Sequence, residues 1–401
     1  MAYWFHRNPL KATQVLTFEL RGVSTDEKTR RIFSELRQTR NKLLELLTDP
    51  NHDKVIVEKA TTDYFSLLLG LIKPFEENES ENKLREAIKF KWTNTLLGNT
   101  AVEQFDTVFE AASMAVNIGL WYTKHAAKLA AKEKNDNLIG KLKDNTANAT
   151  DTDTRVLEAY IYQSTAEAQE VTLARAIEMK HSSSLIAALA CETAQLYQKA
   201  DDALQSLDAK IVTKWRKYFQ LKSDFYTAYA HNYNGDALLA GDKCGEAVRG
   251  LQEGVKLYSE AEKKCTEYAS AKGPGTTARP GNHLFFRKFG PVIKRTLEKC
   301  DRENGMIRLS VTFRYHQKLP FDPPQLELKA TYGLASPEEF QEPSLNPLWS
   351  KEVYQKMDAK MAPKPEPKDD KKKPGELPPV QEKETPMSEK DPSTFSGCVI
   401  S

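Results

Sequence analysis

The chain has 401 residues, a nearly balanced charge of 58 Lys and Arg against 56 Asp and Glu, and 40% hydrophobic residues. Near neutrality excludes the global basic field of a nucleic-acid binder, and this apolar content excludes a wholly disordered chain. The longest apolar run, "YFSLLLGLI" from Tyr64 to Ile72, is too short to span a bilayer.

The N-terminal "MAYWFHRNPL" has no basic stretch followed by an apolar run, so no signal peptide is expected. In "QVLTFEL", Leu16, Phe18 and Leu20 alternate as a half-buried strand requires. "STDE" (Ser24–Glu27) reads as a capping box, in which hydroxyl and carboxylate satisfy each other's free N–H groups. Behind it Ile32, Phe33, Leu36, Leu43, Leu44 and Leu47 recur at helical spacing, and a second helix is expected over 55–72. "AIKFKW" returns to period two with Ile88, Phe90 and Trp92, predicting another strand.

From about 101 to 299 the pattern is almost continuously helical, interrupted by "NDNL", "DNTANATDTDT", "HSSS", "NYNGD" and "KGPGTTARPG". Tyr233–Ala261 reads as a helix-turn-helix unit of the tetratricopeptide kind, with Ala247, Val248, Leu251 and Val255 on one face. No fixed 34-residue period recurs, so helix stacking without a strict repeat is predicted. "MIRLSVTFRY" (Met306–Tyr315) alternates and is expected to be a strand. Beyond Tyr354 the composition shifts: residues 355–394 hold no aromatic, and eight of the chain's twenty prolines lie between Pro363 and Pro392. Such a segment cannot bury enough apolar area to offset its ordering entropy and is expected to be an extended tether.

The chain ends Cys398-Val399-Ile400-Ser401. A cysteine followed by two aliphatics and serine fits the farnesylation signal. Farnesyl on Cys398, with removal of Val399, Ile400 and Ser401 and C-terminal methylation, is therefore expected. One such chain gives only marginal membrane binding, so a second attachment is needed. Cys191, Cys244, Cys265 and Cys300 are scattered, without CxxC spacing, and are expected to be reduced thiols of a cytoplasmic protein. The seven histidines form no metal-ligand spacing, and neither a phosphate-cradling Gly-Lys-Ser/Thr nor GxSxG occurs. An enzyme, a metal site and a cofactor beyond the covalent farnesyl group are therefore not expected.

Several segments together resemble the BRO domain family of Alix-type, ESCRT-associated proteins. They are "FKWTN" (Phe90–Asn94), "FDTVFEAASMA" (Phe105–Ala115), "AEAQEV" (Ala166–Val171), "CGEAVRGLQEGVKL" (Cys244–Leu257) and "YHQKLP" (Tyr315–Pro320), in family order. The resemblance implies a mainly α fold, an elongated boomerang-shaped helical domain with tetratricopeptide-like packing and a small β-sheet. The domain would occupy 1–358, the disordered tether 359–395 and the prenylation motif 396–401. Against the family pattern the chain carries an extra segment, "RLSVTFR" (Arg308–Arg314).

The resemblance also implies an adaptor that binds the C-terminal amphipathic helix of ESCRT-III subunits of the charged multivesicular body class. Groove positions fall on Thr172, Leu185 and Leu189, and a basic position on Arg175. On the helix "SLIAALACETAQLY", Ile186, Ala190, Thr193 and Tyr197 share one face, while Leu185, Leu189 and Leu196 form a flank expected to be exposed beside a polar Glu192. The implied partners also include the prenylation machinery, the membrane, cytoskeletal linker proteins of the nuclear envelope and ubiquitin. Implied locations are peripheral endosomal or nuclear-envelope membranes, and nuclear-envelope repair is an implied role. The other reading is a prenylated helical-repeat scaffold for an unrelated partner, such as a small GTPase or a cytoskeletal membrane protein.

Overall fold

The computed structural model describes residues 5–16, 18, 26–75, 81–130, 140–141, 151–275, 278–306, 319–328, 334, 338–339, 341–357 and 375–383. Nine α-helices stand in chain order among them. The first three are α1 (Glu27–Leu47), α2 (Lys54–Leu68) and α3 (Thr107–Ala130). Then come α4 (Thr154–Glu178), α5 (Ser183–Leu204), α6 (Ala209–Ala240), α7 (Cys244–Ser270), α8 (Leu284–Met306) and the short α9 (Lys351–Gln355). Strands β1 (Phe90–Thr93) and β2 (Ala101–Gln104) pair antiparallel, and Gly140–Lys141 pairs in parallel with Glu338–Glu339.

Two hydrophobic cores organise these elements. The first gathers Leu36 and Leu43 of α1, Tyr64 and Leu67 of α2, Met114 and Trp121 of α3, Phe90 and Trp92 of β1, and Trp349 and Tyr354 around α9. The second runs through α4 to α8, with each helix from α5 on packing on the one before it. Short polar links make this stacking possible. Asp153, Ser182 and Asp208 each place a side-chain oxygen on a free N–H of the helix that follows. At the α6–α7 link, Gly241 closes one helix and Asp242 takes φ 58° before the next begins.

Several sequence expectations shift. Among the described residues of the segment expected as a strand through Leu16, Phe18 and Leu20, no strand forms: the pairing contact is at Thr13 with Trp92, and Phe18 has φ 50°, which takes the backbone out of the extended region. Leu20 and Ser24 lie outside the described residues, and the α1 N-cap is Asp26, without a side-chain capping bond. Helix does not begin at Ala101, because β2 comes first. "NYNGD" is not a break but lies inside α6. A Cβ on Gly235 would stand 2.7 Å from Leu251 Cγ, so this glycine sets the close approach of α6 to α7. The expected strand over 306–315 lies outside the described residues, apart from Met306, which ends α8.

The tether expected over 359–395 is not free throughout. Residues 375–383 lie against the domain as a strap, with Val380 packed on a small separate cluster of Leu10, Val116 and Leu120. Leu377 N–H donates to Asn99 O at 3.0 Å, and Ala101 N–H to Gly375 O at 3.0 Å. Glu382 accepts from Leu10 N–H at 2.9 Å and pairs with Lys124. Lys383 donates its backbone N–H to Thr48 O at 3.0 Å and its Nζ to Asp49 at 3.2 Å. Composition missed this because a strap held by main-chain bonds and two ion pairs needs no aromatic of its own.

Candidate functional site

Three of the segments that carry the family likeness place side chains inward, and most of "YHQKLP" lies outside the described residues. In the first core Glu110 is wholly buried and serves as a hub. Arg40 Nε donates to it at 2.8 Å, Tyr64 OH at 2.8 Å and Trp92 Nε1 at 2.6 Å. Trp92 comes from "FKWTN" and Glu110 from "FDTVFEAASMA", so these two motifs meet at one carboxylate.

"AEAQEV" does the same in the second core. Glu167 makes a two-pronged bond to Arg7 at 2.8 and 2.7 Å. Glu170 accepts from Lys222 Nζ at 2.7 Å and from Tyr197 OH. The Lys222 ammonium also lies 5.1–5.7 Å from the ring centres of Phe5, Tyr197, Tyr218 and Tyr226, within cation–π range. Burial pushes the Glu170 carboxyl above its ordinary range, against the pull of Lys222. Burial likewise lowers the Lys222 ammonium, against the carboxylates of Glu170 and Glu167. Arg7, His6 and Asn8 belong to an N-terminal segment threaded between the helices, where His6 meets Tyr268 at 3.0 Å and Asn8 donates to Tyr160 at 2.7 Å. These polar contacts are buried within the packing of the helices.

The outward face lies on the other side of α4. Thr172, Arg175 and Met179 stand at i, i+3 and i+7 and therefore share one stripe. Thr172 is half-buried and its hydroxyl donates to Ala168 O at 3.3 Å, the backbone four residues earlier. Arg175 is exposed, and Met179 is 59% exposed. Across the link, Leu185 opens α5 half-buried and packs against the second core. Met179 was missed by sequence reasoning, although its spacing from Thr172 and Arg175 was the signal that could have found it.

Leu189 is not part of this surface. It is 0% exposed, and Leu196 and Glu192 are buried as well. Helix α5 lies between α4 and α6, so its expected outer flank enters the seams to its two neighbours. The face through Ile186, Ala190, Thr193 and Tyr197 is buried, as its spacing predicts. The structure thus brings Thr172, Arg175 and Leu185 to one end of the α4–α5 pair and removes Leu189 to the core. Cys398 lies outside the described residues.

Among the described residues no group of three His, Cys, Asp or Glu could hold a metal ion, and no helix is long and apolar enough to cross a membrane. Burial pushes the Cys191 and Cys300 thiols up to about 11, so both stay protonated and inert near neutrality. The α4–α5 end presents the exposed Arg175 and Met179 beside the half-buried Thr172 and Leu185.

These features define a helical scaffold domain, and the chain belongs to the BRO1-like domain family, whose model matches residues 21–357. Among its relatives, the BRO1 domain-containing protein BROX of Danio rerio is 47% identical, with 100% of both chains covered. BROX of Homo sapiens is 48% identical over 91% of this chain and 92% of the relative, and a BROX homolog of Caenorhabditis elegans is 41% identical over the whole of both. A solved structure described as "ALIX BRO1 CHMP4C complex" superposes with a TM-score of 0.59 at 17% identity, covering 84% of this chain and 96% of that one. Another, described as "Structure basis for endosomal targeting by the Bro1 domain", gives 0.58 at 17% identity, covering 88% and 97%. The mainly helical fold with a small sheet is the one the resemblance implied.

Proposed function

We propose that this protein is an ESCRT adaptor. Its α4–α5 end receives the amphipathic C-terminal helix of an ESCRT-III subunit, and a farnesyl group on Cys398 holds it at a membrane. The observation that carries the reading is the outward stripe of Thr172, Arg175 and Met179 beside Leu185. It stands on a fold shared with a domain whose solved structure is described as a complex with CHMP4C. An amphipathic helix laid there would place apolar anchors on Leu185 and Met179 and an acidic neighbour on Arg175. Thr172 offers little apolar area, so moderate affinity is expected, reinforced when the lipid anchor and the peptide contact act together. Endosomal and nuclear-envelope membranes are the proposed locations, with membrane remodelling and envelope repair as the proposed roles.

The test is a titration of the full chain with labelled C-terminal helices of ESCRT-III subunits, alongside Leu185→Asp and Met179→Asp. Micromolar binding lost in both variants, with their melting curves retained, supports the reading. Absence of binding to every subunit, or binding indifferent to both changes, refutes it. Membrane recruitment unchanged in Cys398→Ser would remove the lipid half.

A further inference from the structure

We propose that the turn between α1 and α2, with Val55 and Ile56 on its shoulder, is the face of the domain that rests on the lipid bilayer. The inference depends on Cys398 carrying the lipid, as proposed above.

Val55 is 67% exposed and Ile56 50%, and among the described residues they are the one pair of exposed large aliphatics adjacent in sequence. Helix α2 does not need them. Its first turn is already capped by Asp53, whose side chain accepts from Val55 N–H at 2.8 Å. β-Branched residues in an exposed helical turn lower helix propensity rather than raise it. Their neighbour Val57 is buried, so the core is already served from this turn.

The strap decides what covers the pair. Its last described residue, Lys383, is bonded to Thr48 O and to the Asp49 carboxylate. Asp49 in turn holds Asn51 through its N–H at 2.9 Å and its side-chain amide at 2.6 Å, fixing the turn that runs into Asp53 and α2. The anchored Lys383 and the exposed aliphatic pair therefore belong to one turn. Cys398 stands 15 residues beyond Lys383. Fifteen residues span at most about 50 Å, whereas a chain leaving the domain at Met357 would reach about 140 Å. With the strap seated, a lipid on Cys398 keeps this turn close to the membrane.

The local charge selects the kind of surface. Lys42, Lys54, Lys59 and Lys383 are matched by Glu45, Asp49, Asp53 and Glu58, with Lys54 and Glu58 paired at 3.3 Å and Lys383 held by Asp49. Such a face gains nothing from a polyanionic surface. It fits a zwitterionic bilayer, entered by two aliphatic side chains that supply the attachment a single prenyl chain lacks.

The experiment uses the full chain treated with farnesyl transferase, its mass read first, and phosphatidylcholine vesicles. Lack of a farnesyl mass gain refutes the lipid reading alone. The partition test then proceeds with an N-alkylmaleimide adduct at Cys398 in a Cys265→Ser background, which supplies a lipid without the enzyme. In either form, Val55→Ser/Ile56→Ser is expected to weaken vesicle partition about tenfold with unchanged melting. Raising salt from 50 to 500 mM is expected to change the parent's partition less than twofold. In a strap-released Glu382→Arg/Lys383→Glu background, the same aliphatic changes are expected to matter less than twofold. A lipid-bearing Val55→Ser/Ile56→Ser protein that partitions like the parent overturns the proposal, as does a steep salt dependence.

Discussion

Replacing Lys222 with methionine isolates what the buried ion pair contributes. The side chain is 0% exposed and its partner Glu170 2%, so the change strands a carboxylate among Tyr197, Tyr218 and Tyr226. Breaking such a pair from one side costs about 3–5 kcal/mol. The stranded carboxyl can limit that loss by taking a proton. From an unfolded value of about 4.3, the protonation cost is about 3.7 kcal/mol at pH 7 and about 1 kcal/mol at pH 5. In the variant the folded Glu170 value lies above the unfolded one. Its contribution is therefore favourable below about pH 4 and is lost as pH rises toward the folded value. Lys222→Met should accordingly be about 3 kcal/mol or more less stable than the parent at pH 7, and about 2 kcal/mol less penalised at pH 5. Lys222→Met/Glu170→Gln should recover much of the loss and show no such pH dependence. Urea unfolding followed by tryptophan fluorescence at both pH values, each against the parent at the same pH, measures this. A penalty below about 1 kcal/mol at pH 7, or equal penalties at pH 5 and 7, would refute the account.

Leu189→Ala should cost about 2–5 kcal/mol because the side chain is fully buried, whereas the half-buried Leu185 should tolerate alanine for about 1 kcal/mol; thermal melts of both compare them. Gly235→Ala should destabilise by about 1–3 kcal/mol, since the new Cβ meets Leu251 at 2.7 Å in the α6–α7 seam, and a melting temperature equal to the parent's would contradict that packing. His231 is buried with Nδ1 lacking a hydrogen-bond partner, and burial lowers it to about 4. Its depressed folded value means that stability present above about pH 6.5 is lost as pH falls toward 4, by up to about 3 kcal/mol. His231→Gln should flatten that part of the stability profile in chemical unfolding, and an unchanged slope would show that other groups carry it.

The sequence by itself determined the local elements and the family. Helical spacing placed α1 with the buried Ile32, Leu36 and Leu43, period-two alternation placed β1, and "HSSS" and "KGPGTTARPG" marked true interruptions. These features depend on neighbours a few residues apart, and periodicity records them. It failed where the deciding partner is distant in the chain. "NYNGD" has the composition of a turn, yet Gly235 is a helical contact for Leu251, and Phe18 interrupts an apparently alternating strand by its backbone angle.

The candidate site divides in the same way. Arg175 and Leu185 were named through the family resemblance, whereas Met179 was missed although its spacing from Thr172 and Arg175 stands in the sequence. That Leu189 is core was not, because an amphipathic pattern gives the width of an apolar face but not how many neighbours cover it; α4 and α6 both do. Nothing local in "AEAQEV" shows which cations its carboxylates meet; only tertiary structure delivers Arg7, 160 residues before Glu167, and Lys222, 52 residues after Glu170. The strap is the plainest case. Proline-rich composition measures how little apolar area a segment can bury, but Lys124, Thr48 and Asp49 supply polar partners that composition does not count. Where each segment begins and ends in helix was written locally; which charges are paired, which leucine is covered and where the strap is seated were decided by residues that meet only in the folded protein.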